Sequence, residues 1–233
     1  IALLEKGRVD EAFQHFRQTL QLAPSNSDAH VNFGVGLAEK GQVDEAIQHF
    51  RKAIQISPSN VNAYNNLGTA LGGKGRIDEA IDCFNQALRI KPDYADAHSN
   101  LGHLLVQKGQ IEQGIEHYQQ ALKVSPDHAD THNNLGVALV QQGRVDEAAQ
   151  HYLYALRIKP SNPEVHNNLG NALLRLEKVQ MAVEHYREAL RIKPDYAEAN
   201  YNLGNTLFLQ NRIAEAIECF NKAVQIKPDY ILA

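Results

Sequence analysis

The sequence predicts an all-α fold, an α-solenoid of two-helix repeats, and three observations support this class. Proline recurs every 34 residues, at positions 24, 58, 92, 126, 160, 194 and 228. Glycine recurs with the same period, at positions 34, 68, 102, 136, 170 and 204. A small residue recurs at positions 46, 80, 114, 148, 182 and 216, and it is alanine at all but position 114. A fixed period of this length is the signature of stacked structural repeats.

The period divides the chain into one truncated repeat and six complete ones. If the proline is repeat position 32, residues 1–26 end a truncated repeat and residues 231–233 begin a further one. The complete repeats are 27–60, 61–94, 95–128, 129–162, 163–196 and 197–230. We treat residues 1–233 as a single array. We expect a segment of a longer array or of a larger protein, because neither end carries the polar capping helix that solenoids need.

Each repeat predicts a first helix, a turn and a second helix. In repeat 129–162, Leu135, Ala138 and Leu139 form the apolar stripe of the first helix, and Gly143 ends it. The second helix, in VDEAAQHYLYALRIKP, begins with acidic residues that suit the helix dipole and ends before Pro160. The aromatic residue at position 24 is a large core residue in every repeat: Phe16, Phe50, Phe84, Tyr118, Tyr152, Tyr186 and Phe220.

The pattern L-G-x-x-L … G … A-x-x-x-[FY]-x-x-A-L … P resembles the tetratricopeptide repeat along the whole chain. The resemblance implies a right-handed superhelix whose first helices line the concave side. One departure is the usual Trp at position 4, replaced by His30, Tyr64, His98, His132, His166 and Asn200. Another is the turn glycine, replaced by Glu177 and Asn211. We expect neither departure to change the fold.

Two neighbouring repeats carry glycines where the others have larger residues. Gly72 and Gly73 end the first helix of repeat 61–94, and Gly114 replaces the recurring alanine in repeat 95–128. An interior helical glycine costs about 1 kcal/mol relative to alanine. The sequence therefore predicts that 70–115 is the softest interior region, and that Gly114→Ala with Gly73→Gln would stabilise it.

Composition excludes several classes of function. The net charge is −4 with no basic block, which argues against nucleic acid as a partner. No apolar run approaches the ~18 residues of a membrane span. Cys83 and Cys219 lie four repeats apart, or roughly 30–40 Å at ~8–10 Å per repeat, so they cannot form a disulfide within the chain. Without a disulfide framework we expect a reducing, cytoplasmic or otherwise intracellular setting.

The eleven histidines invite a metal or catalytic interpretation, which their spacing disfavours. Most fall in two columns, position 23 (His15, His49, His117, His151, His185) and position 4 (His30, His98, His132, His166). Neighbours within a column are ~8–10 Å apart, too far to share a zinc ion bound at ~2.0–2.3 Å. We interpret them as packing residues. We predict no catalytic residue, cofactor or metal, and we expect this segment to catalyse nothing.

Position 6 is asparagine in every complete repeat, although asparagine is a poor helix former. We call this set the asparagine ladder: Asn32, Asn66, Asn100, Asn134, Asn168 and Asn202. A carboxamide offers two donors and an acceptor, and a ~10 Å step between helices matches about three residues of extended peptide. The ladder resembles that of the repeat domain of O-linked N-acetylglucosamine transferases, which implies binding of extended protein segments. The alternative is that these side chains only bond neighbouring backbone and so bridge one repeat to the next.

Further contacts are predicted around the ladder. Position 5 supplies Asn65, Asn133 and Asn167. The acidic residues of position 2 would favour basic peptide side chains: Asp28, Asp96, Asp130, Glu164 and Glu198. Apolar anchors would come from Tyr201, Phe208, Leu174 and Leu209. Position 5 holds no lysine, so the clamp that some tetratricopeptide domains use for chaperone C-termini is absent.

Three functions stay open at this stage. The first is a scaffold that binds extended peptide segments of partner proteins. The second is the substrate-recruiting region of a glycosyltransferase whose catalytic domain lies outside this segment. The third is a self-assembling scaffold, a homo-oligomer formed through the ends of the solenoid.

Overall fold

The computed structural model describes residues 9–228, and all the regular elements in that range are α-helices, which confirms the predicted all-α class. The first helices are α2 (Ser27–Glu39), α4 (Val61–Gly73), α6 (Ala95–Gln107), α8 (Ala129–Gln141), α10 (Pro163–Arg175) and α12 (Ala197–Leu209). The second helices are α1 (Val9–Leu22), α3 (Val43–Ile56), α5 (Ile77–Ile90), α7 (Ile111–Val124), α9 (Val145–Ile158), α11 (Val179–Ile192) and α13 (Ile213–Ile226). The predicted start of a further repeat, 231–233, lies outside the described residues.

The chain divides into two compact units, residues 1–124 and 125–233. In the first unit, each first helix packs against its own second helix, as α2 does on α3, and also against the next first helix, as α2 does on α4. The second unit has the same plan, with α8 packed on α9 and on α10. Within each unit, consecutive first helices therefore lie side by side. We call their shared outer side the first-helix surface.

The core between the paired helices depends on the glycine at position 8 and the ring at position 24. Phe50 is 1% exposed, and a Cβ built on Gly34 would lie only 2.6 Å from Cε1 of Phe50. At Gly170 the corresponding distance to Cε1 of Tyr186 is 2.5 Å. Both distances are far shorter than ordinary contacts between carbon atoms. The recurring glycine is therefore needed for the ring to lie against the backbone of the first helix.

The turn between paired helices requires a left-handed residue. Gly41 has φ +78°, and the amide of Gln42 donates to the carbonyl of Leu37 at 2.9 Å, as in a Schellman motif. Glu177 keeps this conformation with φ +59°, and the amide of Lys178 donates to Leu173 at 2.9 Å. Asn211 does the same with φ +60°. Replacing the turn glycine therefore leaves the local backbone unchanged, as the sequence predicted.

Candidate functional site

Three pockets open on the first-helix surface, each between two consecutive first helices of the same unit. In the first unit, one of about 330 Å³ lies between α2 and α4, and one of about 270 Å³ lies between α4 and α6. In the second unit, a pocket of about 330 Å³ lies between α8 and α10. We name them the α2/α4, α4/α6 and α8/α10 pockets. Each volume is of the size that one or two amino-acid side chains occupy.

The three pockets are built from the same repeat positions. One wall comes from positions 9, 12 and 13 of the preceding first helix, and the other from positions 6, 9, 10 and 13 of the following one. The position-24 ring lies at the base: Phe50, Phe84 and Tyr152. Each pocket also includes one member of the asparagine ladder: Asn66, Asn100 and Asn168. The periodicity that builds the fold therefore also repeats a ladder asparagine beside a pocket with an aromatic ring at its base.

The asparagine ladder is hydrogen-bonded between repeats. The amide Nδ2 of Asn100 donates to Oδ1 of Asn65 at 3.2 Å. Nδ2 of Asn168 donates in the same way to Asn133 at 3.1 Å, and Nδ2 of Asn202 donates to Asn167 at 2.9 Å. The ladder therefore bridges repeats, as the structural alternative predicted, but its bonds are to asparagine side chains and not to backbone. A carboxamide has two N–H donors and one oxygen, so the bridge does not exhaust its bonding capacity.

In two of the three repeats that carry asparagine at position 5, this side chain is more enclosed than the ladder asparagine beside it. Asn65 is buried, and Asn133 is half-buried. Asn167 is 0% exposed and donates a second bond to Oε1 of Glu198 at 2.9 Å. A side chain with no exposed surface cannot contact a ligand directly. The structure therefore makes Asn167 a support for Asn202, where the sequence predicted a contact residue.

The acidic residues of position 2 lie beside the loops between repeats. Oδ1 of Asp28 accepts from the Asn60 amide at 2.9 Å, and Asp130 accepts from Nζ of Lys159 at 3.0 Å. Asp96 and Glu164 are exposed. The pocket walls use positions 6 to 13 of the first helices, so position 2 lies outside them.

The predicted apolar anchors fall into two groups. Leu174 is half-buried and lines the α8/α10 pocket. Tyr201 is half-buried, with its ring 5.9 Å from that of Phe220. Phe208 and Leu209 are the exposed pair, at 58% and 73%.

The two histidine columns form one packing motif. In four repeats the position-4 and position-23 rings meet through their Nδ1 atoms at 2.9–3.0 Å, in His30–His49, His98–His117, His132–His151 and His166–His185. Nε2 of each position-4 ring lies 2.9–3.1 Å from a proline carbonyl, which can only accept, so this nitrogen carries the proton. We infer that the position-23 ring donates from Nδ1. Burial, followed by the partner imidazole, lowers the pKa of His49, His117, His151 and His185.

The two cysteines do not form a disulfide, and Cys83 is poorly reactive. Both Cys83 and Cys219 are free thiols. Burial raises the pKa of Cys83 to about 11, which keeps this thiol protonated and poorly nucleophilic near neutral pH.

Between residues 9 and 228, no helix combines the length and apolar character needed to cross a membrane.

Two family models match the chain, and both describe helical repeats. The model of the C-terminal domain of cilia and flagella-associated protein 70, a tetratricopeptide-repeat domain, matches residues 38–229. A general tetratricopeptide-repeat model matches residues 1–61. The chain therefore belongs to the tetratricopeptide-repeat family. No curated protein matches it.

Solved structures show the same fold at low sequence identity. A chain of the APC/C hetero-tetramer Cut9–Hcn1 aligns with a TM-score of 0.84 and 20% identity over 98% of this chain and 45% of its own. This protein thus spans less than half of that chain. YrrB, a tetratricopeptide-repeat protein with an unusual peptide-binding site, aligns at 0.62 and 24% identity over 79% and 95% of the two chains. PilF of Pseudomonas aeruginosa aligns at 0.79 and 19% identity over 87% and 92%. At these identities the likeness concerns the fold alone.

Proposed function

We propose that the chain is a protein-interaction scaffold that binds extended peptide segments along the first-helix surface and catalyses nothing itself. The observation that carries this proposal is the recurrence of a side-chain-sized pocket beside a half-buried ladder asparagine, at Asn66, Asn100 and Asn168. An extended partner in the polyproline II conformation would match this repeat, because it directs every third side chain to the same side at ~3.1 Å per residue and packed helices are ~10 Å apart.

The ladder and the pockets would act together. One N–H of Asn168 holds Asn133, which leaves its second N–H and its oxygen for a peptide backbone. A hydrogen bond contributes only ~0.5–1.5 kcal/mol net, while ordering a peptide residue costs ~1–2 kcal/mol. Burial of peptide side chains against Phe50, Phe84 and Tyr152 would therefore supply much of the affinity. The exposed acidic residues Asp96 and Glu164 would favour basic side chains near the loops.

Structural analogy supports the same class of partner. YrrB is described as having a peptide-binding site, and Cut9–Hcn1 is a protein complex. Recruitment of protein substrates to a glycosyltransferase domain outside this segment would use the same surface. The flanking sequence would distinguish this function from that of a scaffold without a catalytic domain. Self-association through Phe208 and Leu209 would instead appear as a concentration-dependent mass. The intracellular location stays a proposal based on cysteine usage.

A pocket-filling variant tests the proposal without disturbing the core. Gly73 lines both the α2/α4 and α4/α6 pockets, and a Cβ built on it meets nothing within 4 Å. We expect Gly73→Phe to leave the helical content unchanged and to weaken peptide binding by about tenfold, because losing ~1.4 kcal/mol of side-chain burial corresponds to this factor. The matched control is Gln120→Phe on α7, also an exposed helical position but on a second helix.

The ligands for this test come from affinity selection with capped twelve-residue peptides, followed by fluorescence anisotropy titrations. Equal affinity of the selected peptides for wild type and for Gly73→Phe would refute binding at the α2/α4 and α4/α6 pockets. Failure to select any peptide would refute the peptide-binding proposal itself.

A further inference from the structure

The three pockets differ in charge. Glu39 and Lys74 line the α2/α4 pocket with opposite charges, and Nζ of Lys74 also pairs with Asp44. No aspartate, glutamate, lysine or arginine lines the α4/α6 pocket. The α8/α10 pocket contains Arg175 and no acidic residue. Because the pockets share one plan, this difference concerns side-chain chemistry and not backbone shape.

In the described part of the chain, the only charged group that lines the α8/α10 pocket is a donor, Arg175, and the pocket's carboxamides (Gln141, Asn168 and Asn171) offer N–H donors as well as oxygens. Oδ1 of Asn171 accepts from the Tyr186 hydroxyl at 2.8 Å, so this amide keeps both N–H donors and one of its two acceptor positions. Asn168 uses one N–H on Asn133 and keeps another. Arg175 is exposed at the end of α10, and among the described residues no carboxylate lies within ion-pair distance of it. The pocket therefore offers a guanidinium and two amide donors without an internal counter-charge.

The apolar walls of the α8/α10 pocket favour an acidic side chain with more than one methylene group. Val137, Val140 and Leu174 form walls around the base at Tyr152, in a volume of about 330 Å³. Methylene groups can lie against these side chains while a terminal carboxylate reaches Arg175. This arrangement favours glutamate over aspartate, whose single methylene gives less apolar contact. A lysine would place its charge beside Arg175 and would be disfavoured.

We propose that the α8/α10 pocket is a specificity site for a glutamate side chain of the bound segment, with Arg175 as its principal counter-ion and Asn168 and Asn171 as additional donors. This inference rests on the proposed peptide binding and adds the class of residue recognised at one register. The acidic position-2 residues lie outside this pocket, so one segment can carry a glutamate here and basic residues near the loops.

The test uses capped twelve-residue peptides of serine, threonine and valine with one central glutamate, and matched peptides with glutamine, lysine or phosphoserine instead. Binding is followed by NMR, which reports the Nε–H of Arg175 and the side-chain amide of Asn168 even when affinity is weak. We expect glutamate to bind about three- to tenfold more tightly than glutamine, within the range for a partly exposed charge-assisted bond. The preference should diminish as salt is added.

Two variants test the role of Arg175, one by removing the preference for glutamate and the other by creating it in a second pocket. Arg175→Gln installs the residue type that positions 107 and 141 already hold at the same repeat position, so the fold tolerates it. It should abolish the preference for glutamate over glutamine, measured as the ratio of the dissociation constants of the two peptides. Gln107→Arg in the α4/α6 pocket should create a second preference for glutamate.

The possible failures are distinguishable. If the glutamate and glutamine peptides shift the ladder amides with equal affinity, the inference is wrong and the proposed peptide binding stands. A phosphoserine peptide that binds while the glutamate peptide does not would overturn the carboxylate assignment. If no peptide shifts any resonance of the first-helix surface, the proposed function itself is refuted.

Discussion

The helix pairs α6–α7 and α8–α9 share most of their packing residues and differ at position 20. Both have a glycine facing a tyrosine ring, Gly102 with Tyr118 and Gly136 with Tyr152. In α8–α9, position 20 is Ala148, which is fully buried. In α6–α7 it is Gly114, where an added Cβ would lie 2.8 Å from the Gly102 carbonyl oxygen and 2.5 Å from Cγ2 of Val106. The backbones of α6 and α7 are therefore packed directly against each other at Gly102 and Gly114.

This difference reverses an expectation drawn from the sequence. A glycine in place of alanine predicted a loose contact and a soft region over 70–115, which Gly114→Ala would repair. The structure leaves no space for that methyl group. A missing side chain lowers stability when the surroundings cannot close over it, and closure here has removed the gap. Gly73, by contrast, has open space around its Cβ position.

The sequence predicted the helices well because one period specifies helix, turn and core together. Among the described residues, it placed the helices and turns of the complete repeats correctly, together with the five buried position-24 rings from Phe50 to Tyr186. The rings of Phe16 and Phe220, which it also predicted as core, are only half-buried. It did not reveal that the two histidine columns touch, since a period identifies residues that share a column but not columns that meet. The signal was the constant spacing of 19 residues, as between His98 and His117. It also missed the pockets, which depend on how far apart neighbouring first helices lie.

Burial at position 5 was equally hidden. Positions 5 and 6 are adjacent on one helix and both carry asparagine in several repeats, yet Asn167 is enclosed while Asn168 reaches a pocket. A helical wheel places both on the same broad side. Only the neighbouring first helix, which covers one and not the other, separates their roles.

The largest expected effect on stability comes from the paired histidines, which both helix pairs contain. His98–His117 and His132–His151 can each hold one added proton, but a second would place two N–H groups against each other at 2.9 Å. Burial and the partner imidazole lower the pKa of His117 and His151, so below the ordinary value of ~6.5 the unfolded chain binds more protons than the folded one. Stability should therefore be full above pH ~6.5 and fall as the pH decreases below it.

Glu116 lies near His117, and Glu147 near His151, and both oppose this shift without reversing it. If each of the four pairs loses one bond of ~0.5–1.5 kcal/mol, the total is about 2–6 kcal/mol. Thermal melting at pH 7.5 and 5.5 measures the effect. The control is His132→Asn with His151→Cys, which reproduces the residues at 200 and 219 and should melt with less dependence on pH. Identical melting curves at the two pH values would contradict this role.

The second prediction tests the difference between the pairs directly. Gly114→Ala should destabilise α6–α7 by about 1–3 kcal/mol, since the added methyl group forces backbone or Val106 to move. The reciprocal change, Ala148→Gly, should also destabilise, by about 1 kcal/mol, through lost helix propensity. Hydrogen exchange of the α6 and α7 amides reports the first change locally, because repeats contact only their neighbours. Slower exchange in Gly114→Ala would show that the pair is loose after all.

A third, smaller effect concerns the turns that follow the first helices. Gly109 and Gly143 supply the left-handed residue in the two compared pairs, whereas α10–α11 uses Glu177 at φ +59°. A residue with a Cβ costs about 1–2 kcal/mol in this conformation, part of which glycine's greater freedom in the unfolded chain offsets. We expect Glu177→Gly to stabilise the second unit by about 0.5–1 kcal/mol in urea unfolding. Asn211→Gly is the matched control and should gain less, because asparagine tolerates positive φ.

The smallest expected effect comes from Gly73, where the packing leaves room for a side chain, unlike at Gly114. Gly73 is the last residue of α4, and an ideal Cβ there meets nothing within 4 Å, whereas the same atom on Gly114 meets backbone. Gly73→Ala should therefore stabilise by about 0.5 kcal/mol, the low end for a helical glycine because the position is terminal. Hydrogen exchange of the α4 amides, compared between wild type and Gly73→Ala, measures the gain. If Gly73→Ala and Gly114→Ala changed stability in the same direction, the space around the added methyl group could not be what distinguishes them, and the comparison between α6–α7 and α8–α9 would need another cause.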